Sequence, residues 1–541
     1  MNTDSPSAGA KGNSWYKACI LAAGKGSRME NLTKDLHKGL LPLDNKPILS
    51  HIIEAFPKDV EIVMPVGYKK ELIRQYVSVA HPDRKITLVE VDNFEGPGSG
   101  PGYSILKCKE HLQCPFVLDS IDTIVMEDIP PPDQDWFGIA EIAANVTERY
   151  CTARLEGDLV VHLDNKVKND NRYAYIGLAG IRDYRLFWES LTNNKYLVKN
   201  EYQVTNGFAG IVNRRKLHAI RFSWHDTGTE QNYLDTAGKF SKGFTSLEKT
   251  DECIFFVDGL VIKYFKDPIM VSNRVERTKI LEGFCPKITA VTENFYAYRF
   301  VEGVPMSKVL NDTLFSEFLQ WSDSNFWQKK TLSEGQKKEF KAACIDFYRT
   351  KTLKRIESFY KITTIRDREE SINGYRVPKL SDILAKVDWE SLTNGVPVNF
   401  HGDYFIENII YRPGAKQDES KFVLIDWRQN FGGIVEYGDI YYDLAKLNHG
   451  IKISHEMIRK RMYDVQIDGE DVSIQYGNYN NLVDCQLLLR NFVEMKGYDY
   501  RKVEVLTALI YLNIAALHSH PYNLLLYYLG KLYLYRTLKS D

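Results

Sequence analysis

Short apolar runs alternate with helix-like periodicity from the N-terminal region to about Phe240, the texture of a parallel α/β fold. Ala18-Cys19-Ile20-Leu21-Ala22-Ala23 reads as a strand entering a glycine loop. Val60 to Val66, Ile86 to Val91 and Phe116 to Leu118 read as further strands, with a helical pattern from Lys69 to Val79 between two of them. A polar stretch, Gly238 to Thr250, changes the texture. Cys253 to Val257 and Leu260 to Phe265 flank Asp258-Gly259 and predict a β-hairpin. From Leu314 onward the pattern is largely helical, broken by strand-like Val396 to Phe400, Asn408 to Tyr411 and Phe422 to Ile425.

This pattern predicts residues 1–14 as a polar, disordered lead-in, one α/β domain over 15–246, and a second domain over 247–541. The second domain divides into a small β-rich lobe (about 250–305) and a helical lobe (about 306–541). The longest apolar run, Val505 to Leu517, is shorter than the ~20 residues of a membrane span and reads as a core helix. With 70 basic and 71 acidic residues there is no electrostatic footprint for nucleic acid or an anionic membrane. The eight cysteines are scattered without a C-x-x-C pair, which fits free thiols in a reducing cytoplasm. The 33 tyrosines form no repeat and read as core and pocket residues.

The chemistry lies in two sets of motifs. In the first domain Leu21-Ala22-Ala23-Gly24-Lys25-Gly26-Ser27-Arg28-Met29 brings backbone N–H groups and two basic side chains to the end of a strand, as anion binding requires. Lys38-Gly39-Leu40-Leu41-Pro42-Leu43 follows. This pair resembles the signature of the sugar-nucleotidyltransferase family, which includes the bacterial phosphocholine cytidylyltransferases. The resemblance implies a Rossmann-like, GT-A-like mixed sheet. It implies a nucleotide held by Leu21, Ala23, Gly24, Gly26 and Ser27, with Arg28 and Lys38 as catalytic cations. The Phe116-to-Thr123 segment looks like the strand that carries one metal aspartate, Asp122; Trp224-His225-Asp226-Thr227-Gly228-Thr229 looks like the source of the second, Asp226. Two carboxylates suffice for Mg²⁺ because the metal also binds phosphate oxygens and water. Lys166, in Asn165-Lys166-Val167, stands where the family has a Glu-Lys-Pro element that contacts the acceptor phosphate. Gly102 closes a Gly/Pro loop, 96–102, in the place of the base-packing loop; an ordinary connector is the other reading of that loop.

In the second domain His401-Gly402-Asp403-Tyr404-Phe405-Ile406-Glu407-Asn408, followed by Val423-Leu424-Ile425-Asp426-Trp427, supplies a base, an amide ligand and a second carboxylate in the layout of kinase-type phosphoryl transfer. The wording resembles the choline kinase and aminoglycoside phosphotransferase family and implies a two-lobed, protein-kinase-like α+β domain. In that resemblance Asp403 is the base, Asn408 and Asp426 hold Mg²⁺, Lys263 binds the ATP phosphates and Glu276 is its helix partner, with Glu282 as the alternative. Asp443, in the later Asp-Leu-Ala element, is structural. Arg428 follows Asp426-Trp427 where choline kinases tend to carry an acid. Either it disfavours a quaternary ammonium in favour of a polyol, a sugar or an anionic acceptor, or it turns away into a salt bridge.

Together these readings predict a cytoplasmic bifunctional enzyme that phosphorylates a small alcohol with ATP and couples the product to a nucleotide, CTP by analogy, with release of pyrophosphate. The product would be an activated head group for bacterial surface polysaccharide. A sugar kinase joined to a sugar-1-phosphate nucleotidyltransferase is the neighbouring reading. A nucleotide-binding scaffold with one inactive domain is the reading from another class.

Overall fold

The computed structural model describes residues 14–240, 251–416 and 419–539. Nearly all of the expected lead-in, and the expected boundary near residue 246, lie outside the described residues. The chain forms two compact units: Met1–Pro268 with Thr289–Tyr298, and Ile269–Ile288 with Arg299–Asp541.

A nine-stranded mixed sheet organises the first unit. Its parallel core runs in the order Ile86–Glu90, Glu61–Val66, Lys17–Leu21, Phe116–Ser120, and Tyr173–Ile181 then pairs antiparallel with the last of these. Alternate residues of the Lys17–Leu21 strand feed two cores. Ala18 and Ile20 enter one, Cys19 and Leu21 the other, which is why the strand is apolar without a break. The strand therefore ends at a sheet edge covered on both faces, and its glycine loop emerges at the carboxyl end where α/β folds place ligands.

The Asp-Gly hairpin forms as Glu252–Val257 paired with Leu260–Phe265, and it joins Phe295–Arg299 and Ile288–Val291 in a four-stranded sheet. Phe255, Tyr264, Phe295 and Ala297 share one core with Ala18 and Ile20. Tyr76 packs its ring against both Phe255 and Phe295, with centroids 5.9 Å apart in each case. The Tyr264 hydroxyl donates to the Asp35 carbonyl at 3.0 Å, and Gln75 and Asn294 exchange two hydrogen bonds.

The second unit is mainly helical. Its centre is the helix Ile440–Lys452, every residue of which is buried. Asp439 caps it by accepting from the Tyr441 N–H, and the helices Asn480–Met495 and Tyr500–Ala515 pack around it. A three-stranded sheet, Val304–Pro305, Ile409–Tyr411 and Phe422–Leu424, carries the His401-to-Asn408 loop and Asp426 on its ends. A second sheet of four strands (Glu370–Ile372, Tyr375–Val377, Tyr463–Asp468, Asp471–Tyr476) interrupts the region that the sequence pattern reads as helical. Among the described residues no helix is long and apolar enough to cross a membrane.

Candidate functional sites

In the first unit the strands Thr123–Val125 and Trp224–Asp226 pair antiparallel with Asp226 opposite Thr123. This register sets Asp226 next to Asp122, 104 positions apart in the chain (226 minus 122), and the Thr227 N–H donates to the Asp122 carbonyl at 2.9 Å. Gly228 shows how tightly the groups converge. A Cβ built on it would lie 3.0 Å from Asp226 Oδ1, 3.3 Å from Asp122 Oδ2 and 3.5 Å from Arg28 Nη2. All three residues line one cleft of about 830 Å³, together with Leu21, Ser27 and Lys166.

Each carboxylate has its own partners. Lys38 Nζ lies 3.1 Å from Asp122 Oδ2. Burial alone would raise the Asp122 pKa; Lys38, Ser120 and Arg28 outweigh it and hold the group down at about 2. Asp226 accepts from the Gly228 N–H (2.7 Å), Asn232 Nδ2 (2.5 Å) and the Tyr150 hydroxyl (3.2 Å). Burial and the nearby Asp122 charge raise its pKa nonetheless. Asp119, three residues before Asp122, is sealed in the sheet with Oδ1 unpartnered, and burial keeps its pKa well up. Asp122 is thus the carboxylate that faces the cleft.

The glycine loop and the Lys38 turn are clipped together by His37, a residue the sequence reading passes over. Its buried imidazole donates from Nε2 to the Ala22 carbonyl (3.1 Å) and accepts the Gly39 N–H at Nδ1 (3.0 Å). Burial, with Lys38 adding to it, drops its pKa to about 3, so the ring is neutral and this tautomer is fixed by its two partners. Gly26 is at φ 69°, and a Cβ added to it would lie 3.4 Å from Lys38 Cδ, so the loop passes close to the lysine that reaches Asp122. Ala23 is buried, and its carbonyl accepts from the Tyr68 N–H; Gly24 is exposed, with nothing near its Cα face. Lys166 sits at φ 53° with Nζ 3.2 Å from Glu201. Gly102 has no room for a Cβ, which would meet the Gln203 carbonyl at 2.6 Å; its visible role is to let the 96–102 loop close on the Tyr202–Gln203 backbone. Tyr150 and Asn232 carry no motif, and only the fold reveals them.

In the second unit Asp443 and Lys446, one turn apart on the buried helix, both serve the His401 loop. Asp443 accepts the His401 N–H (2.8 Å), the Gly402 N–H (2.7 Å) and Trp327 Nε1 (3.2 Å). Burial raises its pKa to about 6, and those three donors pull in the opposite direction. Lys446 Nζ lies 2.7 Å from Asp403 Oδ1. Burial acts to raise the Asp403 pKa, but Lys446 and Arg428 overcome it and leave the group well below the usual carboxylate range. Asn408 Nδ2 donates to the Asp403 carbonyl (3.0 Å) and to Oδ2 (3.2 Å). The Ile425 N–H donates to the Asn408 carbonyl at 2.9 Å, which ties the Asn408 and Asp426 strand ends together. Asp426 adopts φ 63°, a left-handed conformation costly for a non-glycine residue and concentrated at functional sites. Its Oδ1 lies 3.3 Å from Arg274 Nη1.

Glu276, the expected helix partner of Lys263, lies on the exposed side of its helix. Its carboxylate is 55% exposed and pairs with Lys279. The buried positions of that helix are Val271, Arg274 and Arg277, so its inner face is cationic. Arg277 donates to the Phe400 carbonyl and stacks on the Phe400 ring. Lys263 is buried on the hairpin strand of the first unit.

Among the described residues no three His, Cys, Asp or Glu side chains gather into a metal-binding cluster. The Asp122–Asp226 pair nevertheless fits Mg²⁺ that arrives with a nucleotide, since phosphate oxygens and water complete its octahedron.

A model of the MobA-like NTP transferase domain matches residues 18–135. "Bifunctional protein GlmU" of Methanocaldococcus jannaschii is 28% identical over 222 residues, which are 40% of this chain and 52% of that protein. "UTP--glucose-1-phosphate uridylyltransferase AglF" of Haloferax volcanii is 34% identical over 110 residues, covering 20% of this chain and 44% of the relative. "D-glycero-alpha-D-manno-heptose 1-phosphate guanylyltransferase" of Campylobacter jejuni is 28% identical over 156 residues, 28% of this chain and 69% of that one. The chain spans about half the length of the GlmU relative. The crystal structure of an apo UDP-glucose pyrophosphorylase aligns with a TM-score of 0.37 at 20% identity, over 42% of this chain and 98% of that one. The likeness to the MobA-like NTP transferase domain thus falls on residues 18–135, within the first unit.

Proposed function

We propose that the chain is a bifunctional enzyme: a kinase in its C-terminal half phosphorylates a small alcohol with ATP, and the N-terminal domain couples the phosphorylated product to a nucleotide. The observation that carries the nucleotidyl half is the convergence of Asp122, Asp226 and Arg28 on the single point beside Gly228. The acceptor phosphate attacks the α-phosphorus of a nucleoside triphosphate, and pyrophosphate leaves. Arg28 and Lys38 stabilise the charge that builds on the transferring group, and Lys166 orients the acceptor phosphate. Mg²⁺, held by Asp122 and Asp226, would neutralise phosphate charge in this cleft.

The kinase half is supported by the Asp403 loop. Asp443 fixes the backbone of His401 and Gly402, Lys446 and Asn408 fix the Asp403 carboxylate, and Asp403 orients the acceptor hydroxyl and takes its proton. Asn408 donates its side-chain Nδ2 to Asp403, so its side-chain Oδ1, together with Asp426, would hold Mg²⁺ in this site. CTP as the second nucleotide rests on the family analogy. A second reading, a sugar kinase feeding a sugar-1-phosphate nucleotidyltransferase, draws on the sugar 1-phosphates named in two of the relatives.

Phosphorus NMR with ATP, each nucleoside triphosphate in turn and a panel of alcohols and sugars tests the scheme. Asp403→Ala should abolish ATP consumption and spare nucleotidyl transfer to a supplied phospho-acceptor. Asp122→Ala should do the reverse and let the phosphorylated alcohol accumulate. Loss of both activities in a folded single variant would sink the two-site reading.

A further inference from the structure

A small cavity of about 90 Å³ lies beside the Asp403 loop in the second unit, room for roughly three waters. Four basic side chains, Lys351, Arg355, Arg428 and Lys446, contribute to its wall, and apolar residues such as Leu509 and Ile510 complete it. Lys446 reaches from this wall to Asp403, 2.7 Å away. The Arg428 N–H donates to the His401 carbonyl at 2.9 Å, so the cavity and the loop share a boundary.

Asp403 forms its ion pair with Lys446. Among the described residues Lys351, Arg355 and Arg428 form no ion pair. Lys351 and Arg428 lie instead over the Phe347 ring, at 4.4 and 5.1 Å. Burial, then Arg428, Arg355 and Lys446, push the Lys351 pKa down to about 6, with Asp403 opposing. Burial disfavours the charged lysine first, and the neighbouring cations add to that effect.

We infer that this cavity seats the negatively charged end of the phosphoryl acceptor, so that the kinase substrate is a small alcohol bearing a carboxylate or a phosphate. The inference rests on the kinase reading of the second unit and deepens it. A quaternary ammonium would add a fourth or fifth positive charge to the pocket, and an uncharged polyol would leave the cations uncompensated. An anion neutralises them and holds the acceptor while its hydroxyl meets Asp403. The hydroxyl oxygen then bonds to the γ-phosphorus of ATP, and the bond from that phosphorus to the β–γ bridging oxygen breaks. ADP leaves with the electron pair, and the hydroxyl proton passes to the Asp403 carboxylate.

Calorimetric titration of the full chain, with a non-hydrolysable ATP analogue bound, tests this with D-glycerate, sn-glycerol 3-phosphate, glycerol and choline as probes. At least one anion should bind about tenfold or more tightly than glycerol and choline. Its affinity should fall about tenfold or more in Arg355→Gln and in Lys351→Met, and recover in Arg355→Lys. Comparing the two anions separates a carboxylate site from a phosphate site. Binding of neither anion, equal binding of choline or glycerol, unchanged affinity in both neutral variants, or displacement of the anion by the ATP analogue would each overturn the inference. Phosphorylation of the same panel with Mg-ATP reports separately on the kinase reading. Anion binding that is lost in the variants, without turnover of any probe, would sink the kinase and keep the anion site.

Discussion

Gly228 marks the one point from which both cleft carboxylates and Arg28 are within reach, and that makes it a sharp test of the nucleotidyl site. An alanine methyl there would press on Asp226 Oδ1 at 3.0 Å and fill the space between the two carboxylates and Arg28. Gly228→Ala should lower nucleotidyl transfer about 100-fold, with the thermal midpoint nearly unchanged, as read by pyrophosphate release and calorimetry. Lys351 gives a second test at this scale. Its depressed pKa means that its contribution to folding is present above the ordinary lysine range and is lost as pH falls through about 6. An anion in the pocket reverses that shift. Binding of D-glycerate at pH 7.5 should therefore take up about one proton, measured from calorimetry in buffers of different ionisation enthalpy, and Lys351→Met should abolish the uptake. Single residues were unevenly legible in the sequence. Asp122 and Asp226 sit in recognisable wording, whereas Tyr150 and Asn232 acquire their place only through hydrogen bonds to Asp226. His37 had a local signal, a histidine beside the Lys38 motif, but nothing in sequence marks its 15-residue reach back to Ala22.

At the scale of elements, the readable features were those with local causes. The Lys17–Leu21 strand is apolar on both faces, and the Asp258-Gly259 turn dictates its hairpin. The sheet of Glu370–Val377 and Tyr463–Tyr476 was missed, although Val465, Ile467, Val472 and Ile474 alternate around a Gly469 turn; its pairing spans about a hundred residues, which no local pattern reveals. Glu276, expected as the helix partner of Lys263, instead pairs with Lys279 on a helix whose buried stripe is Val271, Arg274 and Arg277. A buried ion pair fastens the missed sheet to the C-terminal helix Tyr522–Lys539. Lys531 Nζ lies 2.9 Å from Glu370 Oε2 and 2.6 Å from the Arg368 carbonyl, and both charged side chains are fully buried. Removing Lys531 leaves the fully buried Glu370 with only the partly exposed Arg368 as a cationic partner. Lys531→Met should therefore destabilise the second unit by about 3 kcal/mol, read by urea unfolding.

At the scale of the whole molecule, the linear order of motifs and the partition in space are different things. The sequence texture changes between Gly238 and Thr250, yet the strands that follow it enter the first unit's own core: Phe255 and Phe295 bracket Tyr76, and Tyr264 reaches Asp35. Burying those aromatic rings contributes far more than a loop connection does, on the order of 2 kcal/mol for each. A chain cut at residue 246 would thus leave its N-terminal piece without part of its core. A protease site inserted there and cleaved in the folded protein should give two fragments that co-elute on gel filtration in native buffer and separate only in denaturant. The piece 15–246 expressed alone should be insoluble or molten, because Tyr76 would lose both aromatic neighbours. Fragments that drift apart without denaturant, or a well-folded 15–246 piece, would mean that the shared core contributes little. Co-elution would mean that the segments on either side of residue 246 are joined by one hydrophobic core of the first unit, so that truncation there is a folding effect before any effect on activity.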